Sequence, residues 1–108
     1  MVTAHAITIY PNRIVVQGAP GAKASAQIKI YGHPENVSVE FVKVDDLRSV
    51  TDTILTTFDL GQEQQRVIPI DIIVDTKTKE YYLCAVLKKS QSMRLRVCCA
   101  VKAIANTP

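Results

Sequence analysis

The sequence predicts an all-β protein built as an antiparallel β-sandwich. Helix signals are nearly absent from its 108 residues, and short stretches of alternating apolar and polar residues recur between turn residues. The hydrophobic fraction is 47%, close to the globular average, so the chain can bury a core. About seven such stretches at this spacing are typical of an immunoglobulin-like sandwich.

The first half of the chain contains the clearest alternations. "HAITIYP" alternates until Pro11 interrupts it, because proline has no N–H to donate to a ladder. "RIVVQ" resumes the pattern, and "GAPGAK" predicts a turn over residues 18–23. "ASAQIKIYG" and "VSVEFVKV" predict two further strands on either side of the turn "GHPEN". The consecutive apolar residues Phe41 and Val42 predict a β-bulge or a strand that changes sheets.

The second half begins with the least regular stretch. Residues 45–61 are rich in threonine, which favours a wandering edge strand and loop. "RVIPIDIIV" predicts a strand in which Pro69 permits only an edge or bulge position. "YYLCAVL" is apolar on both faces, as a central strand is, and "KKSQS" predicts the last turn. We expect residues 1–104 to form one domain and residues 105–108, "ANTP", to be a flexible tail.

The cysteine pattern argues against a metal site. Cys84, Cys98 and Cys99 make an odd number and fit no known ligand spacing. Cys98 and Cys99 are neighbours and therefore point to opposite faces of any strand. We expect free thiols, buried or half-buried, rather than a disulfide. The chain has no tryptophan and no cysteine in "ASAQIKIYG", so the inter-sheet disulfide of antibody domains is excluded.

The sequence offers no pattern on which catalysis could depend. His5 and His33 have no neighbouring ligands, the aspartates are scattered among turns, and Cys84 lies in a strand too apolar to be reactive. No phosphate-binding glycine loop or serine nucleophile motif is present. We therefore predict that the protein is not an enzyme and has no catalytic residue, metal or cofactor.

The charge balance is mildly basic, with a net charge of +3. The cations Lys88, Lys89, Arg94 and Arg96 flank the last predicted hairpin. They fit solubility and edge protection, a protein partner, or a nucleic acid, although a nucleic-acid surface requires exposed aromatic residues. No apolar run is long enough to span a membrane, and no signal-peptide pattern is visible at the start.

The closing stretch "MRLRVCCAVKAI" has the sharpest alternation in the chain. One face carries an unbroken apolar row, consisting of Met93, Leu95, Val97, Cys99 and Val101. The other face carries three cations, Arg94, Arg96 and Lys102. An ordinary half-buried strand has this pattern, and so does a sheet edge that accepts a strand from another protein. We predict that residues 93–102 form such an accessible edge.

Five segments in order resemble the N-terminal domain of bacterial pilus chaperones of the PapD-like family. They are "ITIYPNRIVV", "AQIKIYG", "FDLGQEQQRVIPI", "EYYLCAVLKKS" and "MRLRVCCAVKAI". The resemblance implies an immunoglobulin-like sandwich whose last strand pairs with a pilus subunit that lacks a strand. It implies that Leu95, Val97, Cys99 and Val101 are lent to the groove of the subunit. It also implies that two basic residues, Arg13 and Lys102, hold the terminal carboxylate of the subunit.

The resulting functional hypothesis is a non-catalytic protein-binding module that engages a pilus-subunit-like partner by strand addition. Pilus chaperones have a second domain and work in the periplasm, whereas neither a second domain nor a leader is visible in this sequence. We expect either a fragment or single domain of such a chaperone, or a PapD-like sandwich that serves another purpose. We therefore expect a periplasmic location if the chain is a processed chaperone domain, and a cytoplasmic one otherwise. The alternatives are a structural subunit that self-associates into an oligomer or virion-like assembly and, with less support, a nucleic-acid-binding protein.

Overall fold

A computed structural model describes residues 7–31, 37–45, 53–60, 65–90 and 93–106 of the chain. All regular secondary structure in these residues is β-strand, which confirms the predicted fold class. The strands in chain order are β1 (Thr8–Tyr10), β2 (Arg13–Gly18), β3 (Lys23–Tyr31), β4 (Val37–Val44), β5 (Thr53–Leu60), β6 (Gln65–Ile73), β7 (Lys79–Ser90) and β8 (Met93–Ala105).

The strands form two sheets. One contains three strands in the order β1-β3-β6, and the other contains five in the order β2-β8-β7-β4-β5. Paired strands are antiparallel except for β2 and β8, which are parallel. Strands β1 and β2 lie in different sheets, and Pro11 separates them. The predicted first strand is therefore two strands, and the described chain has eight strands where the sequence predicted about seven.

The main core lies between the two sheets and is built by alternate residues of each strand. Ile28 and Ile30 of β3 are fully buried there, while Lys29 between them points away from the core. Phe41 of β4 and Leu87 of β7 face them from the larger sheet. Burying one such side chain stabilises the fold by about 1.5–3 kcal/mol, so this interior accounts for much of the driving force.

Three sequence predictions about individual strands are confirmed. The pairing of β4 with β5 shifts register between Phe41 and Val42, so a bulge is present, and Leu55 of β5 has no direct partner on β4. Strand β6, which contains Pro69, lies at the edge of its sheet. Strand β7 is central, between β8 and β4.

The opposite face of the larger sheet carries a second, smaller apolar cluster. Val42, Val44, Cys84 and Val86 are buried there, and Tyr82 packs against them. Alternate residues of β7 face the main core, from Leu83 to Leu87. This arrangement explains why "YYLCAVL" is apolar on both faces.

The C-terminal boundary differs from the prediction. Ala105 is the last residue of β8 rather than the first residue of a flexible tail. Asn106 donates its backbone N–H to the carbonyl of Gly18 at 2.8 Å, and its side-chain oxygen accepts a bond from Gln17 at 2.8 Å. These two bonds to β2 fix the chain beyond the predicted limit at residue 104. Residues 107–108 lie outside the described part.

Candidate functional site

Strand β8 is paired unequally along its length. On one flank it pairs with β7 from Met93 to Ala103. On the other flank it pairs with β2 only from Ala100 to Ala105. Over residues 93–99, no other strand of the described chain lies on that second flank. We call this stretch the open flank of β8.

The backbone of the open flank presents hydrogen-bonding groups away from β7. The N–H of Ala100 donates to the carbonyl of Asn12 at 2.9 Å, on the side of β2. Because successive residues of a strand direct their backbone groups to alternate sides, Cys98 and Arg96 direct theirs to the same side as Ala100. In the described chain, no strand lies on that side to bond the backbone groups of Arg96 and Cys98. The prediction of an edge over residues 93–102 is therefore wrong for residues 100–102, which are paired on both flanks, whereas residues 93–99 have no second neighbouring strand in the described chain.

The predicted apolar row of β8 faces the protein's own core. Cys99 and Val101 are 0% and 1% exposed, and Val97 packs against the same cluster. The side chain of Leu95 lies outside the described part, although its backbone pairs with Leu87. The expectation that Cys99 and Val101 are lent to a partner's groove is therefore corrected, because both already fill this sandwich.

Arg13 and Lys102, the two basic residues that the resemblance implied, lie near each other where β2 meets β8. Arg13 begins β2 beside Ala100, and Lys102 lies two residues further along β8. The two cations line one shallow depression of about 190 Å³. Tyr82 and Glu80 of β7 also line it, and no feature of the sequence indicated Glu80. Glu80 is revealed only by the register of β7 and β8, which places it opposite Lys102.

The charge of this depression is partly balanced. The ammonium of Lys102 lies 3.6 Å from a carboxylate oxygen of Glu80. Both side chains are more than a third exposed, so the pair contributes about 0–1 kcal/mol to stability. The guanidinium of Arg13 has no carboxylate within ion-pair distance among the described residues. The depression therefore retains a net positive charge at the end of the open flank.

The cysteines differ from the sequence expectation. A disulfide joins Cys84 of β7 to Cys98 of β8, so the expectation of free thiols is wrong for these two residues. Cys99 is free and buried in the main core, and burial raises the pKa of its thiol. Cys98 and Cys99 face opposite sides of the sheet, as predicted.

The other predicted features are placed as follows. Arg96 is exposed, while the side chains of Lys88, Lys89 and Arg94 lie outside the described part. His5 and His33 lie outside it as well. In the described ranges no group of three or more potential ligands is arranged to hold a metal ion. The same ranges contain no helix long and apolar enough to cross a membrane.

The comparisons with known proteins agree with this architecture. No protein-family model and no curated protein matches the sequence. Among solved structures, the periplasmic chaperone SfaE is similar with a TM-score of 0.65 at 3% identity, over 94% of this chain and 59% of that chain. The ASH/PapD-like domain 7 of human CEP192 is similar with a TM-score of 0.61 at 10% identity, over 100% of this chain and 94% of that chain.

These likenesses assign the fold. The chain is an immunoglobulin-like sandwich of the PapD-like type, as its sequence segments suggested. It spans less than two thirds of the length of SfaE and nearly all of the CEP192 domain.

Proposed function

We propose that the chain is a non-catalytic protein-binding module that pairs with an extended segment of another protein along the open flank of β8. This proposal depends on one observation. Strand β2 pairs with β8 only from Ala100 onward, so residues 93–99 are paired on one flank only in the described chain. A row of unpaired N–H and C=O groups is a template for an added strand. The PapD-like fold, shared with a periplasmic chaperone, supports the same function.

The geometry favours a partner strand that runs parallel to β8. Strand β2 is parallel to β8 and begins beside Ala100. A partner segment in line with β2 and in the same direction therefore ends next to Arg13. Its terminal carboxylate would lie within reach of the guanidinium of Arg13 and the ammonium of Lys102. Charge-assisted bonds of this kind are about twice as strong as neutral ones.

The class of partner follows from this geometry. It is a protein with an accessible, extended C-terminal segment, and a pilus-subunit-like protein has the required chemistry. The Cys84–Cys98 disulfide is typical of oxidising compartments, which supports a location such as the periplasm. Binding by main-chain pairing requires no cofactor and no catalytic group.

Substitution of Arg96 tests the pairing directly. Proline at this position removes the N–H that points to the open flank, while the bonds of Leu95 and Val97 to β7 are retained. The matched control is Arg96→Gln, which removes the same charge and keeps the N–H. We expect a short peptide of alternating valine and threonine, with a free carboxyl terminus, to bind the Gln variant and not the Pro variant. Isothermal titration calorimetry measures both affinities, and circular dichroism checks the fold.

A second measurement locates the peptide. Amide resonances of Arg96 and Cys98 should shift on titration, and their hydrogen exchange should slow as the N–H groups become bonded. The same peptide with an amidated C-terminus should bind more weakly, because it has no charge for Arg13 to bind. Equal binding by the Pro and Gln variants, or shifts confined to another edge, would refute the proposal.

A further inference from the structure

The two sheets leave a cleft between them at the side where β5 and β6 are the outer strands. This inter-sheet cleft holds about 310 Å³ and is lined by Lys43, Leu55, Ile70, Asp71, Tyr81 and Leu83. Leu83 and Ile70 form its floor, from the larger and the smaller sheet respectively. Leu55, the unpaired residue of the β5 bulge, stands at its mouth and is 49% exposed.

A cation stands on the inner face of the larger sheet within this cleft. Lys43 pairs with Leu83 across β4 and β7, so the two side chains share the face that packs on the core. The ammonium of Lys43 lies 4.7 Å from the centre of the Tyr81 ring. A cation over an aromatic face is stabilised by about 0.5–2 kcal/mol, depending on how far it is desolvated. The ring therefore holds the ammonium at the apolar wall of the cleft.

The ammonium of Lys43 has no carboxylate partner within 4 Å among the described residues. Asp45 and Glu80 line the adjoining depression together with Lys43, but neither forms an ion pair with that lysine in the described chain, and two other aspartates nearby are bound to different cations. Asp71 lies 3.5 Å from the ammonium of Lys23 and accepts a hydrogen bond from Ser25 at 3.0 Å. Asp75, in the adjoining depression, lies 2.7 Å from the ammonium of Lys79. Within the described ranges, Lys43 therefore presents a charge without a bonded carboxylate beside an apolar surface.

We propose that the inter-sheet cleft is a binding site for a small amphiphilic carboxylate. The alkyl part would pack on Leu55, Ile70 and Leu83, and the carboxylate would bind the ammonium of Lys43. Apolar walls with one or two placed polar groups are the usual composition of small-molecule sites, and the volume is at the lower end of the range of roughly 300–1,000 Å³. A larger open depression of about 820 Å³ shares Lys43, Asp71 and Tyr81 and gives access from solvent.

The charge selects the class of ligand. An aliphatic carboxylate satisfies Lys43, whereas an alcohol of the same length leaves it without a counter-ion, and an alkylammonium is repelled. This site is independent of the open flank of β8, since none of the residues lining the cleft belongs to that strand. Its occupancy therefore does not depend on the proposed partner binding.

Titration with decanoate, below its micelle concentration, tests the site. Amide resonances of Lys43, Leu55 and Tyr81 should shift in a saturable manner, and decanol and decyltrimethylammonium should cause much smaller shifts. Lys43→Gln should weaken decanoate binding by at least about tenfold, because the charged partner is lost. The matched control is Lys29→Gln, which lowers the net charge equally from the outer face of β3 and should leave the affinity unchanged.

A steric variant gives an independent readout. Leu55→Trp places a larger apolar side chain at the mouth of the cleft. Leu55 is half-exposed, so the fold should tolerate the change and the circular dichroism spectrum should be retained. Saturable binding of decanoate should be abolished. Equal loss of affinity in the Lys43 and Lys29 variants would overturn the proposal, since it would indicate non-specific attraction to net charge. Shifts that do not saturate, or that map outside the cleft, would overturn it as well.

Discussion

Cys84 and Cys98 lie directly opposite each other on β7 and β8, and a disulfide joins them. Their Cα atoms are 4.1 Å apart, and the shorter Cα separation in an antiparallel ladder belongs to the residue pairs that do not hydrogen-bond to each other. In such pairs the backbone groups of both residues point away from the partner strand. The bond thus links two strands at the residue where β8 presents its N–H to the open flank.

We expect loss of this bond to destabilise the sandwich. The two cysteines are 14 residues apart, and closing a loop of about this length stabilises a protein by roughly 3 kcal/mol. Urea denaturation of the double variant Cys84→Ala, Cys98→Ala should therefore give a free energy of unfolding lower by about this amount. Reductant should lower the stability of the wild type and leave that of the double variant unchanged. Titration of denatured, unreduced protein should find one free thiol among the three cysteines.

Cys99 should make the stability depend on alkaline pH. Burial raises the pKa of its thiol above the ordinary value of 9.0. A group whose pKa is raised by folding stabilises the fold fully below its unfolded pKa, and this contribution is lost as the pH rises through the folded pKa. The free energy of unfolding should therefore fall as the pH rises above 9.0.

The variant Cys99→Ala identifies the source of that dependence. Its stability should fall less steeply over the same range, although its absolute stability is lowered by the lost side chain. Tyr81, whose pKa burial also raises, acts in the same sense from about pH 10, so Tyr81→Phe separates the two groups. An unchanged slope in the Cys99 variant would contradict the assignment.

Two valines on adjacent strands should respond very differently to the same substitution. Val101 is 1% exposed in the main core, and Val15 is 51% exposed on β2 beside Lys102. An aspartate in place of Val101 would bury a charge without a partner, at a cost of several kcal/mol that is comparable to the whole stability of a domain. We expect Val101→Asp to prevent folding and Val15→Asp to leave a cooperative thermal transition within a few degrees of wild type. A folded Val101 variant would show that the core side chain is dispensable.

The sequence separated the two faces of β8, because the alternation of apolar and polar residues is a local property. It did not decide whether the apolar face packs in this chain's own core, where Cys99 and Val101 lie, or on a partner. Cys84 lies opposite Cys98, and Glu80 lies opposite Lys102, because of the register in which β7 and β8 pair. The residues of the turn between these strands do not specify that register. For this reason the sequence predicts neither the Cys84–Cys98 disulfide nor the carboxylate of Glu80 beside Lys102.

The sequence also could not predict that β2 joins the larger sheet. Pro11 indicated that the first strand is interrupted, because proline cannot donate to a ladder. It did not indicate that β1 and β2 join different sheets, since that depends on contacts with strands far along the chain. The parallel pairing of β2 with β8 is what limits the open flank to residues 93–99. The resemblance of "ITIYPNRIVV" to the first strand of pilus chaperones suggested Arg13 as a site residue. It did not indicate at which residue of β8 the pairing with β2 begins.

Glu80 should act as a competitor for any carboxylate bound at Arg13 and Lys102. Its carboxylate lies 3.6 Å from the ammonium of Lys102, so a ligand must displace it or share the charge. We expect Glu80→Gln to raise the affinity for the alternating peptide with a free carboxyl terminus by up to about fivefold, the value of an exposed ion pair. The amidated peptide should not distinguish the variant from wild type, because it has no charge to compete for. The gain should shrink in high salt, and Lys102→Gln should remove it. A gain that is equal for both peptides would mean that Glu80 acts on the fold of β7 rather than on the bound terminus.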